Sequence, residues 1–284
     1  MQLCKLLDRG YTRHAWLRNG QLTLLDLSRA QSVFGIGDIL AAPDADKLVM
    51  KLADIQQTTF PLSSARLLAP IDQQEVWAAG VTYKRSKVAR ETESAGAASF
   101  YDKVYTAERP ELFFKSTPLR VVGPGQPVRV RQDSRWTVPE PELALYITPD
   151  RKIVGYSVGN DMSARDIEGE NPLYLPQAKM YAGSCALGPA VTWAPAMPPR
   201  DQIAIDLKIE RSGSVAFHGS TTVGQMARSF ESLVDWLFRE NSFPHGVVLL
   251  TGTGIVPPDD FSLRPGDRVR ISISGIGELV NPVS

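Results

Sequence analysis

Two acidic residues stand at the entrance to an apolar stretch, in the sequence Pro-Glu-Pro-Glu-Leu-Ala-Leu-Tyr-Ile that begins at Pro139. Glu140 and Glu142 are two residues apart, so on a strand their side chains point to the same face. Neighbouring carboxylates repel each other unless a positive group lies between them, and a hard divalent cation commonly fills that role. Taken alone, the pair is more typical of a solvated strand end with two exposed acids.

A third acid changes this interpretation. The next apolar stretch, residues 153–158, ends just before Asp161, and a turn joins it to the first stretch. If the two stretches pair as a hairpin, Asp161 returns beside Glu140 and Glu142, and three carboxylates converge. An all-oxygen site of this kind suits Mg²⁺, Mn²⁺ or Ca²⁺ better than zinc. We therefore predict a metal site at these three residues; the alternative for Asp161 is a residue that caps its own turn.

Three further polar residues could act on an acid held at such a site. Lys179 lies in an apolar, Pro- and Gly-rich segment, where a lysine could stabilise an enolate or move a proton. Arg165 could bind a substrate carboxylate, and Thr253 lies in a Thr-Gly-Thr-Gly sequence whose N–H groups and hydroxyl could hold a carboxylate. The alternatives are a lysine that reaches solvent, an arginine paired with Asp161 or Asp166, and an ordinary glycine turn.

The elements that must position these residues are short strands separated by turns, together with few helices. The clearest helix covers residues 229–240, where apolar residues recur with helical spacing. Because helices and strands do not alternate regularly, the pattern predicts a β-rich α+β fold rather than a doubly wound sheet. Strands are predicted over residues 1–8, 16–27 with a turn signal at Asn19-Gly20, 76–83, 111–115, 142–147, 153–158, 203–210, 246–250 and 268–274.

Residues 1–70 are predicted to form a small N-terminal domain, and residues 71–284 the catalytic domain.

The composition limits the partners and the location. Lys+Arg and Asp+Glu both number 31, so nothing favours a nucleic-acid or anionic-membrane partner, while self-association is plausible. The two cysteines, Cys4 and Cys185, are predicted to be buried thiols. No long apolar run suggests a signal peptide or a membrane span, which predicts a cytoplasmic protein.

Residues 71–284 resemble the fumarylacetoacetate hydrolase superfamily through an ordered set of motifs: GVTY, FFK with GPGQP, EPELAL, VGYSVGNDMSARDIEG, LLTGTG and LRPGDRVRISISGIGELVNPV. The resemblance implies a mixed β-roll with a small N-terminal domain, usually dimeric, so we expect a homodimer or a dimer of dimers. The family's roles would then fall on Glu140, Glu142 and Asp161 as ligands of Mg²⁺ or Mn²⁺, on Lys179 for substrate activation, and on Arg165 and Thr253 for substrate binding.

One departure from the family is informative. Carbon–carbon hydrolases of this superfamily carry a water-activating histidine shortly after the strand that ends near Tyr83, and here Ser86 stands in that place. The chain has three histidines, His14, His218 and His245, and none lies in this segment. The resemblance therefore places Ser86 among the substrate-binding residues and does not favour attack by an activated water.

The segments DKVYTAERPELFFK, DSRWTVPEPEL and IEGENPLYLPQAKMYAGSCALGP resemble the 2-keto-3-deoxy-pentonate dehydratases of the same superfamily. The resemblance implies dehydration of 2-keto-3-deoxy-arabinonate or -xylonate to 2,5-dioxopentanoate in pentose catabolism. This reaction needs a base and an acid but no activated water. Glu111 and Glu108 are the spare carboxylates, and Glu111 beside Phe113 and Phe114 could carry protons; the alternative is a surface turn around Pro110.

Two other functions remain open on sequence grounds. The first is a hydrolase or decarboxylase that acts on an acylpyruvate or a ring-cleavage diacid at the same metal site. The second is a binding or scaffold protein that has lost catalysis, against which the intact residues Glu140, Glu142, Asp161 and Lys179 argue.

Overall fold

Residues 1–53, 59–83 and 104–284 are described by the structure, a computed structural model. Ser86 lies outside these residues. The helices, numbered in chain order, are α1 (Ile36–Ala41), α2 (Ala45–Leu52), α3 (Arg165–Glu170), α4 (Leu175–Lys179) and α5 (Phe230–Leu237). The strands are β1 (Gln2–Asp8), β2 (Tyr11–Arg18), β3 (Gln21–Leu25), β4 (Phe60–Pro61), β5 (Arg66–Leu68), β6 (Glu75–Gly80), β7 (Glu111–Ser116), β8 (Thr137–Val138), β9 (Pro141–Ile147), β10 (Ile153–Asp161), β11 (Ser163–Ala164), β12 (Cys185–Trp193), β13 (Ala204–Arg211), β14 (Ser214–Thr222), β15 (Val247–Leu250), β16 (Arg268–Ile273) and β17 (Gly277–Pro282).

A large mixed sheet organises the fold. Within the described part of the chain it has 11 strands in the order β4-β3-β2-β1-β12-β10-β9-β15-β6-β7, with β5 attached to β1. The pair β15–β6 is parallel, and the other pairs in this sheet are antiparallel. A four-stranded antiparallel sheet, β14-β13-β16-β17, and the small pair β8–β11 complete the β structure. The predicted β-rich fold with a mixed sheet is confirmed.

Both faces of the large sheet are covered. Along β9, Leu143 and Leu145 pack into a core shared with the four-stranded sheet and α5, whereas Ala144 and Tyr146 belong to a second core shared with α1 and α2. Every residue of β9 is therefore buried, which explains its nearly continuous apolar sequence. Helix α5 buries the apolar stripe that the sequence predicted, and the Ser229 side chain caps its first turn by accepting from the N–H of Ser232.

The N-terminal residues are joined to the rest of the chain through the same sheet. Strand β1 pairs with β12, and the second core contains Leu3 and Ile36 together with Val248 and Leu250. The division into a domain at residues 1–70 and a domain at residues 71–284 stays a prediction. Among the described residues, no helix is long and apolar enough to cross a membrane.

Some elements differ from the sequence-based expectation. The predicted turn at Asn19-Gly20 separates β2 from β3, and β2 begins at Tyr11 rather than at Trp16. Both turn residues have positive φ, 50° and 72°, the backbone conformation that a tight hairpin turn requires. Strand β12 was not predicted, because it is buried on both faces and carries Gly188-Pro189, which resemble a loop signal. Strands β14 and β17 were also missed.

The two cysteines are buried, as predicted. Cys4 lies in β1 and Cys185 at the start of β12. Burial raises the pKa of each thiol to about 12. Both side chains therefore stay protonated at neutral pH and behave as small apolar residues.

Candidate metal centre and active site

The three predicted metal-binding carboxylates lie together at the end of a β-hairpin. Strands β9 and β10 pair in a register that sets Glu142 opposite Gly159, and the N–H of Asp161 donates to the Glu140 carbonyl at 2.9 Å. One carboxylate oxygen from each of Glu140, Glu142 and Asp161 lies within 4.8 Å of the others, and all three residues are buried. The predicted hairpin and its convergence of acids are confirmed.

Buried cations surround this acid cluster. The Lys179 ammonium, at the end of α4, lies 2.8 Å from Glu140 Oε2 and 3.3 Å from Asp161 Oδ2. The Arg165 guanidinium, at the start of α3, donates to Glu140 Oε1 at 2.8 Å. Lys115 on β7 forms an ion pair with Asp161 Oδ1. Lys179 and Arg165 are therefore brought to the acids rather than to solvent.

Glu142 is held differently from the other two acids. Its Oε2 accepts a hydrogen bond of 2.6 Å from the N–H of Gly252, in the Thr-Gly-Thr-Gly segment after β15. Burial, followed by the negative charges of Asp161 and Glu140, raises the pKa of Glu142 well above its ordinary value. The backbone N–H that the sequence predicted for a carboxylate is thus engaged by one of the chain's own carboxylates.

The donor set fits a hard divalent cation. Three carboxylates converge in a buried space, and Mg²⁺, Mn²⁺ and Ca²⁺ prefer oxygen ligands of this kind. A bound cation would also offset the charge repulsion that raises the Glu142 pKa. Glu140, Glu142 and Asp161 could therefore hold the ion.

A small cavity of about 10 Å³ opens beside the acids, which is roughly the space that one water molecule needs. Phe113 forms part of its wall, and the Lys179 ammonium lies 5.7 Å from the centre of that ring. The Thr253 hydroxyl is buried next to the cavity and exchanges hydrogen bonds of 3.2 Å with the backbone of Ile255. The described residues that line the cavity are Ala79, Gly80, Val81, Phe113, Glu140, Asp161, Arg165, Lys179, Gly252 and Thr253.

Glu111 lies against Gly80, a residue that lines the small cavity. It is half-buried on β7, opposite Gly80 on β6, and a Cβ atom added to Gly80 would lie 2.1 Å from Glu111 Oε2. Glu111 also lines a pocket of about 570 Å³ with the polar residues Arg109, Glu168 and Asn171. The Glu111 carboxylate therefore borders the larger pocket and lies against Gly80, which lines the small cavity, whereas Glu108 is exposed.

The three histidines lie outside the site. Ser86 is outside the described residues. The three histidines belong to other surroundings: His14 pairs with Asp72, His218 pairs with Asp206, and His245 lines a pocket on the α1 side of the large sheet. None of them is among the described residues that line the small cavity.

Sequence reasoning assigned no role to Lys115, although it is the lysine of the FFK motif. In the sequence it follows two phenylalanines on a predicted strand and has no acidic neighbour. Its partners come from β10 and from α4, so its contact with Asp161 depends on the tertiary fold. The one available signal was a lysine in a segment otherwise typical of a buried strand.

Comparison with known proteins places the whole arrangement in a family. Residues 75–284 match the family described as Fumarylacetoacetate (FAA) hydrolase C-terminal. The chain is 40% identical over 294 residues to 2-dehydro-3-deoxy-D-arabinonate dehydratase of Saccharolobus solfataricus, an alignment that covers 100% of this chain and 96% of that protein. It is 44% identical over 265 residues to a probable 2-keto-3-deoxyxylonate dehydratase of Haloferax volcanii, covering 92% and 88%.

The fold is also similar to a solved structure. A structure of 2-keto-3-deoxy-D-arabinonate dehydratase complexed with magnesium and 2,5-dioxopentanoate matches with a TM-score of 0.85 and 40% sequence identity. The match covers 100% of this chain and 99% of that chain. The likeness thus extends beyond the sequence motifs to both sheets and to the N-terminal residues.

Proposed function

Because the chain belongs to the fumarylacetoacetate hydrolase family, we propose that it is a hydro-lyase that removes water from a 2-keto-3-deoxy-pentonate and produces 2,5-dioxopentanoate. Two observations outside the site support the choice of substrate. Relatives named as arabinonate and xylonate dehydratases are similar along nearly the whole chain. One dehydratase structure of the same fold is complexed with magnesium and 2,5-dioxopentanoate.

The observation that carries the proposal is the position of the Lys179 ammonium. It faces the small cavity from the same wall as Glu140 and Asp161, 2.8 and 3.3 Å away, and it is almost fully buried. A 2-keto acid whose carboxylate and keto oxygens point into this water-sized cavity would have both a cation site for those oxygens and a proton carrier within reach. Those are the two requirements for forming and using an enolate.

We assign Mg²⁺ to Glu140, Glu142 and Asp161, with Mn²⁺ or Ca²⁺ as possible substitutes. When bound, the cation supplies positive charge for the carboxylate and keto oxygens of the substrate and makes the protons on carbon 3 more acidic. Lys179 and Glu111 are the proton carriers. One proton leaves carbon 3, and the hydroxyl on carbon 4 takes up a proton and departs as water. Loss of a proton from carbon 5 and tautomerisation then give the aldehyde.

Other residues of the chain would hold the substrate. We assign substrate binding to Arg165 and Thr253, which line the small cavity, and to Ser86. Arg165 donates to Glu140 and lines the small cavity, a position from which a guanidinium can meet an anionic substrate. Glu111 lines the larger pocket and lies against Gly80 of the small cavity, a position suited to the hydroxyl-bearing end of the acid.

The reaction class can be decided by the fate of the substrate carbons. Purified protein with Mg²⁺ is incubated with 2-keto-3-deoxy-arabinonate, 2-keto-3-deoxy-xylonate and a set of acylpyruvates, and the products are identified by mass. We expect one five-carbon product, lighter than its substrate by one water, and loss of turnover after exhaustive chelation. Two carbon fragments would indicate the hydrolase instead, and CO₂ release would indicate the decarboxylase.

We expect a homodimer or a dimer of dimers in solution. The equal numbers of acidic and basic residues leave no net charge to keep copies apart. Several large apolar side chains are also exposed, among them Phe34, Leu119 and Leu173. Light scattering at micromolar concentration should give a mass of two or four times 31.2 kDa. A particle of 31.2 kDa would contradict the prediction.

Two broader expectations belong to the same proposal. Residues 1–70 are assigned a scaffolding role, since none of the described residues lining the small cavity comes from them. A cytoplasmic location is supported by Cys4 and Cys185, which are free, buried thiols and form no disulfide.

A further inference from the structure

Lys115 is a fully buried lysine beneath the acid cluster. Its side chain has no solvent exposure, and its ammonium has three partners. It donates to the Lys179 carbonyl at 2.6 Å and to the Met162 carbonyl at 3.0 Å, and it forms an ion pair with Asp161 Oδ1. Two of the N–H groups of the ammonium thus donate to carbonyl oxygens, and the third contact is the ion pair with Asp161. Lys115 does not line the small cavity as Lys179 does.

These three contacts join separate parts of the site. Asp161 is the last residue of β10, Met162 follows it directly, and Lys179 ends α4. With Oδ1 held by Lys115, the Asp161 carboxylate directs Oδ2 towards Lys179 Nζ, 3.3 Å away. The Lys179 carbonyl also accepts from the Ser184 hydroxyl at 2.8 Å, so the end of α4 is fixed from two sides.

We propose that Lys115 is a positioning residue that fixes Asp161 for metal binding and Lys179 for proton transfer, without touching substrate itself. The inference rests on the proposed function, because it assigns Lys115 a task in that same site. Outer partners that orient a metal-binding side chain are typically needed for full metal affinity. A fully buried lysine that donates to two carbonyl oxygens and pairs with a metal-binding carboxylate is suited to that task.

The direction in which metal affinity changes when Lys115 is replaced distinguishes a positioning role from a purely electrostatic one. Lys115 is a cation next to a site for cations, so the loss of its charge alone should tighten metal binding. The loss of its three contacts should instead release the Asp161 carboxylate and weaken binding. A weaker affinity after removal of a positive charge is therefore the signature of positioning.

The experiment measures Mn²⁺ affinity by calorimetry on the full, substrate-free chain and kcat and KM on the Mg²⁺-loaded enzyme. For Lys115→Met we expect Mn²⁺ affinity to fall about 10–100-fold, together with a fall in kcat that exceeds the change in KM. Lys115→Arg keeps the charge but alters the geometry, so we expect a smaller loss of the same sign. If the Met variant does not fold, the Arg variant decides alone, because its charge is unchanged.

Ser157→Ala is the matched control. Ser157 is buried on β10 and donates to the Ala190 carbonyl at 2.8 Å, outside the site. Its loss should lower thermal stability and leave Mn²⁺ affinity unchanged. Wild-type affinity or tighter binding in both Lys115 variants overturns the inference while the dehydratase proposal stands. A wild-type enzyme that binds Mn²⁺ but releases no water overturns the dehydratase proposal, and the affinity comparison still tests Lys115. No Mn²⁺ binding by the wild type overturns both.

Discussion

Replacing Lys179 with methionine is expected to lower kcat about 10³-fold, with little change in KM. The ammonium lies 2.8 Å from Glu140 Oε2 and 5.7 Å from the centre of the Phe113 ring, so it faces the place where the substrate oxygens would lie. Negative charge on the substrate appears mainly in the transition state, and a group that meets this charge contributes to kcat rather than to binding. Methionine keeps the length of the side chain but neither donates nor carries a proton.

Steady-state kinetics with 2-keto-3-deoxy-arabinonate and saturating Mg²⁺ measure this change. Lys152→Met is the control, since Lys152 is an exposed lysine whose ion pair with Asp150 lies on the surface; its kcat should equal that of the wild type. The Lys179 variant should also keep its Mn²⁺ binding, because the three carboxylates remain. A kcat equal to that of the wild type would remove Lys179 from the proposed chemistry.

The acid cluster could be predicted from the sequence because two local rules determine it. Residues two apart on a strand share a face, which brings Glu140 and Glu142 together. A short turn between two strands makes a hairpin, and its register returns Asp161 to the same end. Neither rule needs knowledge of the rest of the fold.

Contacts between distant segments could not be predicted in this way. Lys115 on β7 meets Asp161 at the end of β10, although β9, β15 and β6 lie between these two strands in the sheet. The Gly252 N–H reaches Glu142 from a strand more than 100 residues later in the chain. Such contacts follow from strand order, which a single sequence leaves open when the strands are short and numerous.

The part of the large sheet around β12 was also not predicted from the sequence. Strand β12 has no alternation because both of its faces are buried, and alternation is the signal by which strands are normally found. Its neighbour β1 was predicted as a strand, but its pairing with β12 was not. The sequence therefore indicated the chemistry of the site more completely than the sheet that carries it.

Glu142→Gln is expected to have opposite effects on stability and on metal binding. Burial and the charges of Asp161 and Glu140 raise the pKa of Glu142, so its ionised form destabilises the metal-free fold. Glutamine removes that charge and keeps an oxygen that can accept from the Gly252 N–H. We expect the Tm of the chelated protein to rise by about 2–5 °C. Mn²⁺ affinity should fall by more than the roughly 10–100-fold typical of losing an outer partner.

The pH dependence of this effect has a definite sign. The folded state holds the Glu142 proton more tightly than the unfolded state, in which the pKa is near 4.5. Stability of the chelated wild type therefore falls as pH rises from that value towards the raised pKa. The Glu142→Gln variant lacks this titrating carboxylate. The difference between its Tm and that of the chelated wild type should therefore grow over the same pH range.

Thermal unfolding in chelator and in Mg²⁺, from acid to neutral pH, measures both effects. Asp267→Asn is the matched control, because Asp267 is also a buried carboxylate but accepts two hydrogen bonds, of 2.8 and 2.7 Å, from Arg211. Its replacement should lower the Tm whether or not Mg²⁺ is present. Mg²⁺ should raise the Tm of the wild type and of the Asp267 variant but not that of Glu142→Gln. A lower Tm for Glu142→Gln in chelator would contradict the prediction, because it would mean that the Glu142 carboxylate stabilises the metal-free fold.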